Sequence, residues 1–144
     1  MTIRALFDVN MLLALFDPAH VHHARAHAWW GANRAPGWAS CPLTQNGFLR
    51  IIATPRYARP VIMSEAFAAL RAQIARPEHE FWPDDISIMA TDVFDHGRIM
   101  GPSQLIDLYL LALAVKNDGR LATFERAIPI AAVRGADARH VAVI

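Results

Sequence analysis

At 144 residues the chain suits one hydrophobic core and is too short for two ordinary ones, so a single domain over residues 1–144 is expected. A net charge of +1 gives no overall pull toward nucleic acid, and no apolar run approaches the ~20 residues that cross a bilayer. The lone cysteine, Cys41, excludes an internal disulfide and fits a reducing cytoplasm.

Hydrophobic residues make up 54% of the chain and mean hydropathy is +0.21, so apolar surface is expected to meet another protein rather than lipid. Trp29, Trp30, Phe48 and Phe81 point the same way, being more aromatic surface than a small core readily hides. Lys116 is the sole lysine among the basic side chains. The arginines that replace lysine suit bidentate phosphate contacts, although a coding bias toward Arg and Ala explains them equally well.

The first element is a β-rich run from Ile3 to Phe7, which passes into an apolar helical run from Val9 to Phe16. Asp8 stands at the joint and Asn10 follows two residues later. In a parallel α/β sheet the carboxyl ends of the strands are where ligands bind. The competing role for Asp8 is a helix cap, since an aspartate there accepts an orphan backbone N–H. Asp17-Pro18-Ala19 breaks the helix, and a second is expected from about His20 to Asn33. Four histidines crowd its start. His23 and His27 are i, i+4 neighbours, but no acid or cysteine lies among them to complete a metal site, which favours exposed or helix-packing roles.

Pro36-Gly37 marks a turn, and Trp38-Ala39-Ser40-Cys41 reads as a short strand. The stretch Thr44-Gln45-Asn46-Gly47-Phe48-Leu49-Arg50 enters a helix, Thr54 to Pro60 forms a loop, and a further helix is expected from Ser64 to about Ala75. Residues 76–85, with Pro77 and Pro83, read as a connection. Ile86-Ser87-Ile88-Met89 reads as a strand, and a short helix is expected over Thr91 to Arg98.

Gly101-Pro102 stops the chain, Ser103 offers an N-cap, and a helix runs from Leu105 to Lys116 with Gly119 as its C′ terminator. Leu108 to Val115 are apolar on nearly every face, which implies burial. Asp107, about one turn in, then needs compensation by an arginine, a proton or a cation. Arg120 to Thr123 reads as a strand leading to Glu125, and Ile130 to Val133 and Val141 to Ile144 as short final strands. The alternation of strands and helices favours an open, mainly parallel sheet between helical layers.

Asp8, Asp107 and Glu125 thus occupy comparable positions, and adjacent strands can bring them to one edge. Clustered carboxylates repel, and a hard divalent cation such as Mg²⁺ or Mn²⁺ reconciles them. Such a site hydrolyses phosphodiesters without a nucleophilic side chain.

Leu6-Phe7-Asp8-Val9-Asn10, the Thr44-to-Arg50 stretch, Asp107 in its Leu/Ala helix, and Leu121-Ala122-Thr123-Phe124-Glu125 together resemble the PIN-domain family, and closely its VapC-type toxins. The resemblance implies a three-layer α/β/α fold with a mainly parallel sheet. It also implies a metal-dependent endoribonuclease, a homodimer, and a VapB-like antitoxin covering the groove. By position it makes Asp8 and Asp107 metal ligands and Glu125 their catalytic companion. Asn10 and Thr123 would support the site. Gln45 stands where related sequences often carry Glu, and would bind a metal or its water through the amide. Glu125 stands where Asp is commoner. Arg50, Arg56 and Arg126 are the expected phosphate contacts. The competing functions are a PIN-like module that binds RNA or protein without cutting, and an unrelated metallohydrolase built on the histidines. A nucleotide-binding protein is disfavoured, because neither G-x-G-x-x-G nor a Walker lysine is present.

Overall fold

The computed structural model describes residues 3–144. Five short strands form one parallel sheet: β1 (Ala5–Phe7), β2 (Trp38–Ser40), β3 (His79–Phe81), β4 (Arg120–Thr123) and β5 (Val141–Val143), in the order β3-β2-β1-β4-β5. Parallel neighbours need long crossovers, and five helices supply most of them. These are α1 (Val9–Phe16), α2 (His23–Asn33), α3 (Pro42–Ile52), α4 (Met63–Ile74) and α5 (Leu105–Lys116).

Strand alternation divides the core in two. Leu6, Ala39 and Leu121 point to one face, where they pack with α5, Trp82 and Phe94. Ala5, Phe7, Trp38 and Ala122 point to the other, against the apolar sides of α1, α3 and α4. The result is the expected three-layer arrangement with both sheet faces covered, as all-parallel sheets require. Every side chain from Leu108 to Ala114 is buried, so the all-round apolar helix is indeed a core element. No described helix is long and apolar enough to cross a membrane.

Several local expectations are corrected. The third strand is His79–Phe81, inside the stretch read as a connection. It is a polar edge strand beside β2, so it carries no apolar alternation. Ile86 to Met89 form no strand; Ile86 and Ile88 instead pack irregularly against the α5 core. The helix expected over Thr91 to Arg98 shrinks to one 3₁₀ turn, His96–Arg98. Ile130 to Val133 is likewise a 3₁₀ turn, with Val133 in an isolated bridge to Phe94. The helix expected from His20 starts at His23, because Asp17 and His20 organise successive turns ahead of it.

Both ends of α5 also differ from expectation. Ser103 lies within a 3₁₀ turn and Gln104 is the N-cap, with no capping side chain. At the other end Asp118, not Gly119, takes the left-handed conformation (φ 54°). Gly119 N–H donates to the Ala114 carbonyl at 2.8 Å and Asp118 N–H to Val115 at 3.2 Å, the paired bonds of a Schellman ending. Gly119 is required for space: a Cβ there would stand 2.5 Å from the Trp82 ring.

Of the four aromatics expected at the surface, Phe48 is fully buried. Trp29 and Trp30 are half-buried, edge-on to Phe7, and Phe81 remains 51% exposed. Large apolar side chains are exposed also at Val21 and Met89, at Ile62, Met63 and Phe67 around the start of α4, and at Met100, Leu105 and Ile106 ahead of and at the start of α5.

Candidate active site

The parallel register of β1 with β4 pairs Phe7 with Ala122, which sets Asp8 beside Thr123 at the carboxyl edge of the sheet. Asp8 N–H donates to the Ala122 carbonyl at 3.3 Å. Its Oδ1 accepts the Met11 N–H at 2.7 Å, so Asp8 is the N-cap of α1. It is also only 6% exposed and has no cationic partner among the described residues. Burial raises its pKa to about 6, against the pull of the Thr123 hydroxyl and the Met11 N–H. Asp107 and Glu125 raise it further by repulsion. Cap and acid-cluster roles, alternatives in the sequence, coexist in one carboxylate.

Asp107, in the first turn of α5, is half-buried, and no arginine compensates it among the described residues. Burial is the main cause of its raised pKa, and repulsion from Glu125 adds to it. Glu125 is exposed just past β4. Its N–H donates to Thr123 Oγ1 at 3.0 Å, and its Oε1 accepts the Ala127 N–H at 2.9 Å. Thr123 is fully buried and so ties the third acid to the first. The three carboxylates are thus coupled at one edge. Even so, no three His, Cys, Asp or Glu side chains among the described residues converge tightly enough to hold an ion alone.

The supporting residues divide. Asn10 is exposed on the first turn of α1. Gln45 turns its amide to Ser40, with Nε2 donating to Ser40 Oγ at 2.9 Å, and that hydroxyl lies 2.7 Å from His79 Nε2. The amide thus ties α3 to β2, whose Ser40 hydroxyl in turn reaches β3, rather than bonding to an acid. Arg126 directly follows Glu125 and is exposed. Arg50 is exposed more than two turns along α3, about 12 Å of helix from its start, and Arg56 is exposed in the following loop.

The paired histidines have a structural occupation. His23 Nδ1–H donates to the Ala14 carbonyl at 2.7 Å and His27 Nε2–H to Leu15 at 2.8 Å. They satisfy carbonyls left open at the end of α1, as basic side chains do at helix C-termini.

Sequence pattern missed a second group beside the acids. Phe124, between Thr123 and Glu125, packs its ring against His22 at 4.6 Å, and the Arg25 guanidinium lies 5.2 Å from its centroid. Only tertiary folding brings the start of α2 to the end of β4; a cluster of His and Arg was the one visible signal. Two cavities lie elsewhere: one of about 280 Å³ beside Phe7, Phe16, His27 and Trp30, and one of about 400 Å³ beside Ile86, Val93, Lys116 and Arg134, with none of the three acids in either wall.

A parallel α/β sheet with three coupled carboxylates at its carboxyl edge defines the class of acidic, PIN-like nuclease folds. No protein-family model matches the chain. It is 47% identical over 142 residues to Ribonuclease VapC44 of Mycobacterium tuberculosis, covering 99% of this chain and 100% of that protein. Ribonuclease VapC39 of the same organism is 38% identical over 133 residues, covering 91% of this chain and 95% of that one. The crystal structure of Mycobacterium tuberculosis VapC20, a sarcin–ricin loop cleaving toxin, superposes with a TM-score of 0.58 at 10% identity, over 85% of this chain and 89% of that one. The chain belongs to the VapC family of ribonucleases.

Proposed function

We propose that the chain is a Mg²⁺- or Mn²⁺-dependent endoribonuclease, the toxin of a toxin–antitoxin pair acting in the cytoplasm. The observation that carries this reading is Asp8: a buried carboxylate with no cationic partner among the described residues, held by the Met11 N–H, and repelled by Asp107 and Glu125. A fold with nothing to gain from such repulsion would pair or delete these charges. Asp8 and Asp107 would hold the ion. With too few converging groups for an all-protein cage, the site would suit an ion that keeps much of its water, as Mg²⁺ does. When bound, the ion supplies positive charge to a phosphate oxygen and acidifies a water.

The chain's own residues do the positioning. Thr123 and the Met11 N–H fix the Asp8 carboxylate, so its geometry is set before any ligand arrives. Glu125, exposed and tethered through its N–H to Thr123, would take a proton from an attacking water. Arg126 offers the nearest of the three expected phosphate contacts, with Arg50 and Arg56 serving flanking phosphates. RNA that is single-stranded in loops would be the substrate, its phosphates accessible to these arginines.

Two surfaces support protein partners. The exposed Ile62, Met63 and Phe67 around the start of α4 suit the apolar part of a VapB-like antitoxin. Met100, Leu105 and Ile106 adjoin Asp107 and suit a homodimer face.

Purified protein should cut loop-containing RNA with Mg²⁺ or Mn²⁺, stop in chelator, and lose activity in Asp8→Ala. Cleavage persisting in both chelator and Asp8→Ala would overturn the mechanism. RNA binding without metal-stimulated cleavage would favour the non-cutting PIN-like module.

A further inference from the structure

Beside the acid edge stands a group that the carboxylate site does not use, seated through Phe124 on the margin of the core. His20 and His22 lie in the turns before α2, Arg25 in the first turn of α2, and Phe124 just after β4. The His22 and Phe124 rings are 4.6 Å apart and inclined by 30°; His20 and Phe124 are near-parallel at 6.5 Å and 23°. Arg25 is exposed and forms no ion pair among the described residues; the Phe124 ring is its resolved contact, at 5.2 Å. The neighbouring acid, Asp17, is engaged by the Tyr57 hydroxyl at 2.6 Å. Phe124 and the two histidines are half-buried, so their rings are held in place yet reachable.

Position gives this group its meaning. Phe124 lies in the chain between Thr123, which stands beside Asp8 across the β1–β4 register, and Glu125, so the cluster is anchored at the strand end that carries two of the acids. The acids repel an RNA backbone, and an enzyme acting at such an edge needs attraction close by. Aromatic rings with an arginine over them are the surface on which unpaired bases stack, because every base has a π-face and the guanidinium adds a cation.

We propose that His22, Arg25 and Phe124, flanked by His20, form a stacking platform that holds an unpaired base of the RNA next to the phosphate to be cut. The inference rests on the ribonuclease reading above and adds the subsite that places the substrate. The platform selects RNA whose strand is unstacked at the cleavage position and excludes a continuous duplex.

The test measures binding apart from cleavage. A fluorescent RNA hairpin with an unpaired loop is titrated with the protein in chelator, and the same hairpin is cut with Mg²⁺ in parallel. Phe124→Leu keeps the bulk and removes the ring; Arg25→Gln changes an exposed side chain that the fold does not need. Each should weaken hairpin binding roughly five- to a hundredfold, the range for loss of one stacked base. Phe124→Tyr should bind like wild type. An abasic loop nucleotide beside the cleaved bond should erase the difference between wild type and Phe124→Leu. Affinities of both variants within twofold of wild type would overturn the platform and hand the cluster to a protein partner. The two readings fail separately: wild type that never cuts, with variants that lose binding, sinks the nuclease and keeps the platform. Wild type that cuts, with variants unchanged, does the reverse.

Discussion

Asp8 and Thr123 are neighbours across the ends of two parallel strands, and each completes the other. The threonine hydroxyl lowers the pKa of Asp8 against its burial and accepts the Glu125 N–H at 3.0 Å, so one buried side chain acts on two acids. The arrangement places negative charge where the protein has to carry its cost until a ligand arrives.

That cost is measurable as pH dependence. Asp8 has a folded pKa of about 6 against 3.8 for the ordinary side chain, chiefly through burial. Between those values the folded chain keeps a proton that the unfolded chain has lost. Stability from this group therefore falls as pH rises through the window, and the penalty is complete above about pH 6, on the order of 3 kcal/mol. Asp8→Asn keeps an oxygen for the Met11 N–H and removes the charge. In chelator at about pH 7.5 the variant should be more stable than wild type by about 1–3 kcal/mol, with the gap closing near pH 4. Denaturant melts across pH check this, and a variant less stable throughout would mean that the cap needs the full charge.

Asp107 gives a second, independent reading of the same repulsion. Its raised pKa comes from burial and then from Glu125, and no cationic partner opposes either among the described residues. Asp107→Asn should leave the metal-free protein as stable as wild type or more so, and should weaken Mn²⁺ binding in calorimetric titration. Loss of a buried ion pair would instead cost about 3–5 kcal/mol, and a drop of that size would remove Asp107 from the proposed metal site.

The sequence showed these acids because each sits at a joint between apolar runs that were themselves legible. β1, α1, α5 and β4 are buried, so burial wrote their patterns directly into residue type. β3 was illegible for the opposite reason: His79 and Glu80 lie on an exposed edge between two prolines, where pairing with β2 is backbone work that leaves no apolar signature. Ile86 and Ile88 misled because their alternation serves packing against α5 without any strand partner. The Phe124 cluster was hidden because its members lie about a hundred residues apart and meet only through the sheet.

Gln45 shows how structure redirects a sequence expectation. Its amide donates to Ser40 at 2.9 Å, and a carboxylate cannot donate. Gln45→Glu should therefore cost about 1 kcal/mol through the lost bond and leave Mn²⁺ affinity within about twofold of wild type. A clear gain in affinity would show that the side chain swings to the acid edge when a metal is present.

Gly47 tests how tightly the site is tied to its scaffold. It is buried in α3, and a Cβ built on it would stand 2.6 Å from Val9 Cγ2, closer than any packed methyl tolerates. Val9 is the residue after Asp8 and opens α1, so the helix that Asp8 caps approaches α3 at this glycine. Gly47→Ala favours helix propensity but must push Val9, and with it the start of α1, away from β4. The expected cost is about 1–3 kcal/mol, with RNA cleavage falling further than stability explains, because Asp8 shifts relative to Thr123. Val9→Ala in the same chain removes the clashing methyls. The double variant should recover most of the lost stability and cleavage, a coupling that thermal melts and initial rates of the four proteins would read out. If Gly47→Ala is neutral by itself, or if Val9→Ala fails to rescue it, the contact does not set the position of Asp8.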